Sequence, residues 1–313
     1  MTVEVDVPQK VAERLVNASM TRRWYPFEPK VIDWSVPLTG EWAYVAAGHS
    51  VFSSSGILDT LSPEDRSFVE RWETTQTMRN VAHGEHLLNQ GILAMLWQMD
   101  PYDPSYRFLL HEVAEECQHM AMFNQWVRLN SDIRTRDAGE LGWSTMVAKF
   151  TEELARDKPE AFWVNVLLFE FVGDESNQAA RATPVGDDGR PLHPILVQIG
   201  ITHTSEEARH IAYARRWLEE GMPKLDDEQV LEVQRLAELG AQAVIDRRQF
   251  LPVRYSRQLE PYMSKEAFEQ AMGSTPASKA LLGQLYKLLV DFERLRVVSH
   301  EAMRRWEDSG AFE

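Results

Sequence analysis

Residues 203–210 read HTSEEARH, set between the apolar run VQIGI and the helical stretch IAYARRWLEE. On an α-helix, positions i, i+4 and i+7 fall within an arc of about 60°. His203, Glu207 and His210 therefore share one stripe, in a segment that otherwise has the composition of a buried helix. Titratable groups are rarely fully buried unless they are paired or bound to a metal. The stripe requires something opposite it.

A second long helical segment, YRFLLHEVAEECQHMAMFNQWVRL, carries a shorter version of the same row, Glu116 and His119 at i and i+3. Two E-x-x-H pairs on two helices point to a four-helix bundle with a dinuclear metal centre, in which each of the other two helices supplies one Glu. Glu85 lies 31 residues before Glu116. About 21 Å of helix separates it from the DPYDP break and about 17 Å separates the break from Glu116, so an antiparallel hairpin levels the two carboxylates. Glu175 lies 32 residues before Glu207 and preserves that interval. Glu170 is its rival and levels slightly better with Glu207 on the same hairpin geometry. The two are about 140° apart around the helix, so only one faces the metals. Glu175 is preferred because it keeps the repeat.

The residue types suit the task. Four carboxylates bring about four negative charges to two divalent ions and neutralise the site in a dry interior. Imidazole suits iron and adds a nitrogen donor without adding charge. His203 is an additional histidine beyond the usual set.

Outward from these rows the chain reads as helix almost throughout. Ser62, Pro63, Glu64 and Asp65 form a helix start, with a capping hydroxyl, a proline at the first position and acidic residues in the first turn. Pro101 and Pro104 interrupt the pattern. PEAFWVNVLLFEFVGDESNQAARA is apolar nearly all round in its first half, as in the middle of a bundle. PVGDDGRP is a turn, and Gly221 with Pro223 ends the fourth helix. Two more helices are expected near Asp226–Phe250 and Ser278–Trp306, and one at the start, from about Gln9 to Thr21. The expected fold is all-α: a ferritin-like four-helix bundle at about 62–221, C-terminal helices at about 226–309 and an N-terminal wrap, in a single domain over 1–313.

A net charge of −15 argues against binding nucleic acid or an anionic membrane. With Cys117 as the one cysteine no intramolecular disulfide forms, and this fits a reducing compartment. The N-terminus MTVEVDVPQK lacks a signal peptide's basic and apolar regions, and no run has the length of a membrane span. A cytoplasmic protein is expected.

The ligand pattern Glu85, Glu116 and His119, Glu175, then His203, Glu207 and His210 resembles that of the arylamine N-oxygenases, non-haem di-iron enzymes with a distinguishing H-x-x-x-E-x-x-H. The turn GDDGRPLHP resembles the family's and, at its place, supports Glu175 over Glu170. The resemblance covers most of residues 40–220. It implies two iron ions, with manganese as the alternative metal, and O2 as co-substrate. It further implies oxidation of a small primary amine, aromatic in the best-known members, to hydroxylamine and on toward nitro through a peroxo-di-ferric species. An electron donor, a reductase or ferredoxin, and a homodimer are implied as partners. The competing functions are another di-iron hydroxylase, desaturase or decarboxylase, and a non-enzymatic ferritin-like iron-binding protein.

Several neighbours have plainer roles. Glu115 and Glu206 point about 100° from the ligands and are expected on the outer face or behind them. Glu112, His83, His86 and His111 are expected to be supporting or surface groups, Cys117 a small buried residue and Tyr213 a packing residue.

Overall fold

The long helices begin where the sequence offers a cap. In a computed structural model, which describes residues 9–21, 25–135, 145–246, 254–274 and 279–312, ten α-helices form among the described residues. They are α1 Gln9–Thr21, α2 Pro63–Leu96, α3 Pro104–Leu129, α4 Thr145–Asp157, α5 Pro159–Ala182, α6 Pro194–Gly221, α7 Asp227–Ile245, α8 Lys265–Ser274, α9 Lys279–Arg294 and α10 His300–Asp308. Pro63, Pro104, Pro159 and Pro194 open α2, α3, α5 and α6. The missing N–H of each is one that a first turn leaves unpaired anyway. The Ser62 side chain accepts from the Asp65 amide and the Asp103 side chain from the Ser105 amide. His193 does the same for Ile195 through its ring nitrogen.

These four helices make the bundle. α2 packs on α3, and α5 on α6. α4, within the long connection between the two hairpins, lies against α2 and α5. Gly84 faces Phe169 and Gly91 faces Phe162, so α2 and α5 run antiparallel. Contacts of Glu115 with Arg209 and of His119 with Glu206 set α3 antiparallel to α6. Two antiparallel hairpins joined by a crossover give the ferritin-like bundle.

The helices missed in the sequence are short. α4 and α8, of 13 and 10 residues, are marginal as isolated helices and depend on packing; Phe268 of α8, for example, sits 5.8 Å from Phe52, ring to ring. The stretch expected as one helix near Ser278–Trp306 is two, because the chain turns left-handed at Arg296 (φ 63°) and ends α9 there. Ser299 then caps α10. The expected helix ends at Phe250 and Ser278 lie outside the described residues.

Residues 25–61 wrap the end of the bundle where α2 starts. Ala43 and Ala47 donate to the carbonyls of Pro191 and Val185 in the α5–α6 turn. Glu70 accepts from the Tyr44 amide, and Glu73 from Ser50 Oγ and the Val51 amide. Arg190 gathers the carbonyls of Gly40 and Trp42, Ser67 Oγ and Glu70. No helix among the described residues is long and apolar enough to cross a membrane.

Gly91 allows α5 to approach α2, since a Cβ there would lie 2.2 Å from Phe162 Cε2. Gly91→Ala should destabilise the protein by about 1–3 kcal/mol through overpacking, and Phe162→Leu in the same chain should recover part of that loss. Denaturant midpoints for the single and double variants check it; an unchanged midpoint in Gly91→Ala would contradict this packing.

Candidate metal centre

Glu85 on α2, Glu116 and His119 on α3, and His203, Glu207 and His210 on α6 meet in the bundle's middle, each at most 1% exposed. The fourth helix contributes Glu170, also 1% exposed. Three overlapping groups of donor atoms, each within 4.8 Å of one another, span the site. They are Glu85, His119, His203 and Glu207; Glu116, Glu207 and His210; and Glu85, Glu116 and Glu170.

Glu170 therefore stands where Glu175 was expected. Glu175 turns to the wrap instead, its carboxylate 2.6 Å from His49 Nε2, while His49 Nδ1 lies 2.8 Å from the Ala47 carbonyl. Hairpin level decides this. Glu85 is 11 residues from the end of α2 and Glu116 is 12 from the start of α3. Glu170 is 12 from the end of α5 and Glu207 is 13 from the start of α6, whereas Glu175 is only 7 from the end of α5. The interval of 31 becomes 37 between Glu170 and Glu207: the turn between α5 and α6 has 11 residues (183–193) against 7 (97–103) between α2 and α3, and each helix arm is one residue longer.

Each of the three cluster histidines is held at both nitrogens. His119 Nδ1 lies 2.9 Å from Glu116 and 3.1 Å from Glu207, and its Nε2 lies 2.8 Å from Glu206. His210 Nδ1 lies 2.7 Å from Glu116 and 3.2 Å from Glu207, and its Nε2 lies 3.0 Å from Glu115. His203 turns its Nε2 to Glu85 and Glu207, both at 3.4 Å. Its Nδ1 meets Asp174 at 3.2 Å and the Asn177 amide at 3.1 Å. A partner on the far nitrogen fixes an imidazole's orientation and raises its basicity as a ligand. Arg209 braces Glu115 at 2.7 Å and Ser19 of α1 at 2.9 Å.

Glu115 and Glu206 are thus buried supports, each serving the histidine of the opposite helix. The signal for them was the doubled glutamate in both EECQH and EEARH. The signal for Glu170 was the row Glu170, Asp174, Asn177 at helical spacing, which faces α6 as a unit. Tyr213 packs as expected, its ring 4.6 Å from Phe108 and 5.4 Å from Trp163. Cys117 differs from expectation and is exposed. His86 is at the surface, His83 and His111 are half-buried, and Glu112 is wholly buried.

The electrostatics are those of an anionic site compensated by protons. Burial, then the neighbouring Glu116 charge, pushes Glu85 up to about 8. Burial, then the Glu207 and Glu85 charges, raises Glu170 well above the carboxylate range. Burial and Glu207 push Glu116 the same way, but His119 and His210 outweigh them and hold it at about 2. Burial disfavours the imidazolium of His203, yet Glu207, with Asp174 and Glu85, lifts it to about 10. Glu85 Oε2 and Glu170 Oε1 have no hydrogen-bond partner. Carboxylate and imidazole donors with buried, unused lone pairs fit a pair of iron or manganese ions.

The family described as "P-aminobenzoate N-oxygenase AurF" matches residues 6–294. Uncharacterized proteins of Mycobacterium bovis and of two Mycobacterium tuberculosis strains are 31% identical over 216 residues, which is 67% of this chain and 60% of theirs. The chain thus spans about 60% of the length of these curated relatives. No solved structure matches.

The sign of the pH response follows from these shifts. Glu85 and Glu112, at about 8, and Glu73, at about 7, exceed the ordinary 4.5. Their contribution to stability is full below pH 4.5 and is lost as pH rises through the folded values. His203, at about 10 against 6.5, acts in the same direction at higher pH. Glu116 acts oppositely and only in acid, losing its contribution as pH falls toward about 2. The metal-free protein should therefore melt lower at pH 9 than at pH 6, by on the order of 5 °C. Calorimetry checks it; a melting temperature that is flat or rising over that range would contradict a cluster held by protons.

Proposed function

The chain belongs to the p-aminobenzoate N-oxygenase family, and on that premise we propose that it is a di-iron oxygenase acting on the nitrogen of a small primary amine. The observation that carries this reading is the convergence of Glu85, Glu116, His119, Glu170, His203, Glu207 and His210 in one buried cluster with three imidazoles. One group would lie with Glu85, His119, His203 and Glu207, the other with Glu116, Glu207 and His210, with Glu170 across from Glu85 and Glu116. Two iron ions there would supply reductive activation of O2 for oxidation of the amine, and an external electron donor would complete the turnover.

The chain's own part is positioning and exclusion. Glu206, Glu115 and Asp174 hold the three imidazoles so that a nitrogen of each faces the carboxylates. Their buried setting fixes that geometry before any metal arrives, which keeps reorganisation small. Apolar layers close the site on both sides. Leu88, Phe108 and Leu109 lie toward one end, and Ala82, Phe123 and Ile199 toward the other. They keep bulk water from the donors and from whatever reacts there.

Metal binding must displace the protons that His203 and Glu85 hold, so affinity should rise with pH between 6 and 8. Metal analysis after anaerobic Fe(II) loading should give two irons per chain. Glu170→Ala should lower that occupancy, with affinity at least tenfold weaker, whereas Glu175→Gln should keep both irons. With reductant and O2, p-aminobenzoate or another primary amine should yield its hydroxylamine or nitro product by mass spectrometry. Two irons without any O2-dependent nitrogen oxidation across a panel of amines would leave a di-iron protein and remove the N-oxygenase reading.

A further inference from the structure

Side by side, the octets of α3 and α6 read EVAEECQH (112–119) and HTSEEARH (203–210). The helices are antiparallel, and their doubled glutamates trade partners, Glu115 meeting His210 and Glu206 meeting His119. A local two-fold relation therefore matches Glu116 with Glu207 and His119 with His210. The same operation matches Glu112 with His203, each four residues, about one helical turn, before its cluster glutamate.

His203 reaches the cluster. Glu112 lies at the corresponding position on α3 and is 0% exposed, with neither carboxylate oxygen hydrogen-bonded. A buried carboxyl without a partner is costly to keep. The charges that act on it are, largest first, those of His210, Glu116, Glu207 and the neighbouring Glu115. The first three form one donor group of the cluster, three residues against the four of Glu85, His119, His203 and Glu207.

We propose that Glu112 is a further ligand, the acidic counterpart of His203, giving a carboxylate oxygen to the ion held by Glu116, Glu207 and His210. This rests on the dinuclear reading above. It brings the set of Glu116, Glu207 and His210 to four residues as well, Glu170 grouping with Glu85 and Glu116 across both sets, and makes the two ions chemically distinct. One takes its extra donor as a neutral imidazole and the other as an anionic carboxylate, which binds a hard cation more strongly.

The test is anaerobic titration of the metal-free full chain with Fe(II), read as ions bound and the affinity of each step. Wild-type protein should take two ions. Glu112→Leu should keep one at wild-type affinity and bind the other at least tenfold more weakly. Its metal-free melting temperature should equal or exceed that of wild type, because an unpartnered buried carboxyl has been replaced by an apolar side chain of similar size. Glu112→His, which copies the arrangement on α6, should restore the second ion. Wild-type affinity for both ions in Glu112→Leu would overturn the proposal. So would equal weakening of both steps together with a lowered metal-free melting temperature, the signature of a structural prop. A wild-type chain that fails to bind two ions would instead remove the dinuclear reading on which the proposal stands.

Discussion

Four carboxyl groups, Glu85, Glu116, Glu170 and Glu207, are brought together at most 1% exposed, and the rest of the bundle answers that concentration of charge. Like charges in a medium of low dielectric repel strongly. The carboxyls must therefore keep protons or gain positive neighbours, and both responses are present: burial and the neighbouring charges raise Glu85 and Glu170, and the carboxylates raise the three histidines against the pull of burial. Long helices supply the stiffness to hold seven side chains against that repulsion. The aromatic layers above and below keep water from relieving it, including Phe108 and Trp163 on one side and Phe123 on the other.

Much of this could be read in the sequence, for definite reasons. The capped, proline-opened starts of α2 and α3 and the stripe of His203, Glu207 and His210 are local features, and local periodicity survives folding intact. The level of Glu85 with Glu116 could be obtained because the α2–α3 turn is short and marked by Pro101 within it and Pro104 at its end. Glu170 reaches the cluster and Glu175 does not because equal height, not equal interval, levels a carboxylate with Glu207, and the two turns differ by four residues. The α5–α6 turn is longer because it also receives the wrap, through Ala43 and Arg190. That is a tertiary contact no local pattern announces.

The same limit explains the short helices. α4 and α8, of 13 and 10 residues, are marginal alone and gain their order from the surfaces they cover. Asp174 and Glu175 show how finely the wrap and the interior are joined. These two adjacent residues of α5 face different partners, His203 of the cluster and His49 of the wrap. One peptide unit thus separates the residue that meets the wrap from the residue that orients a cluster histidine.

The crossed clamps between α3 and α6 carry a last implication. Each helix holds one jaw of both clamps, Glu115 and His119 on the first, Glu206 and His210 on the second. Sliding either rod by one turn would open both at once and leave two carboxylates stranded in the core. A change at one jaw therefore strands its mate on the other rod. The two rods are one mechanical part.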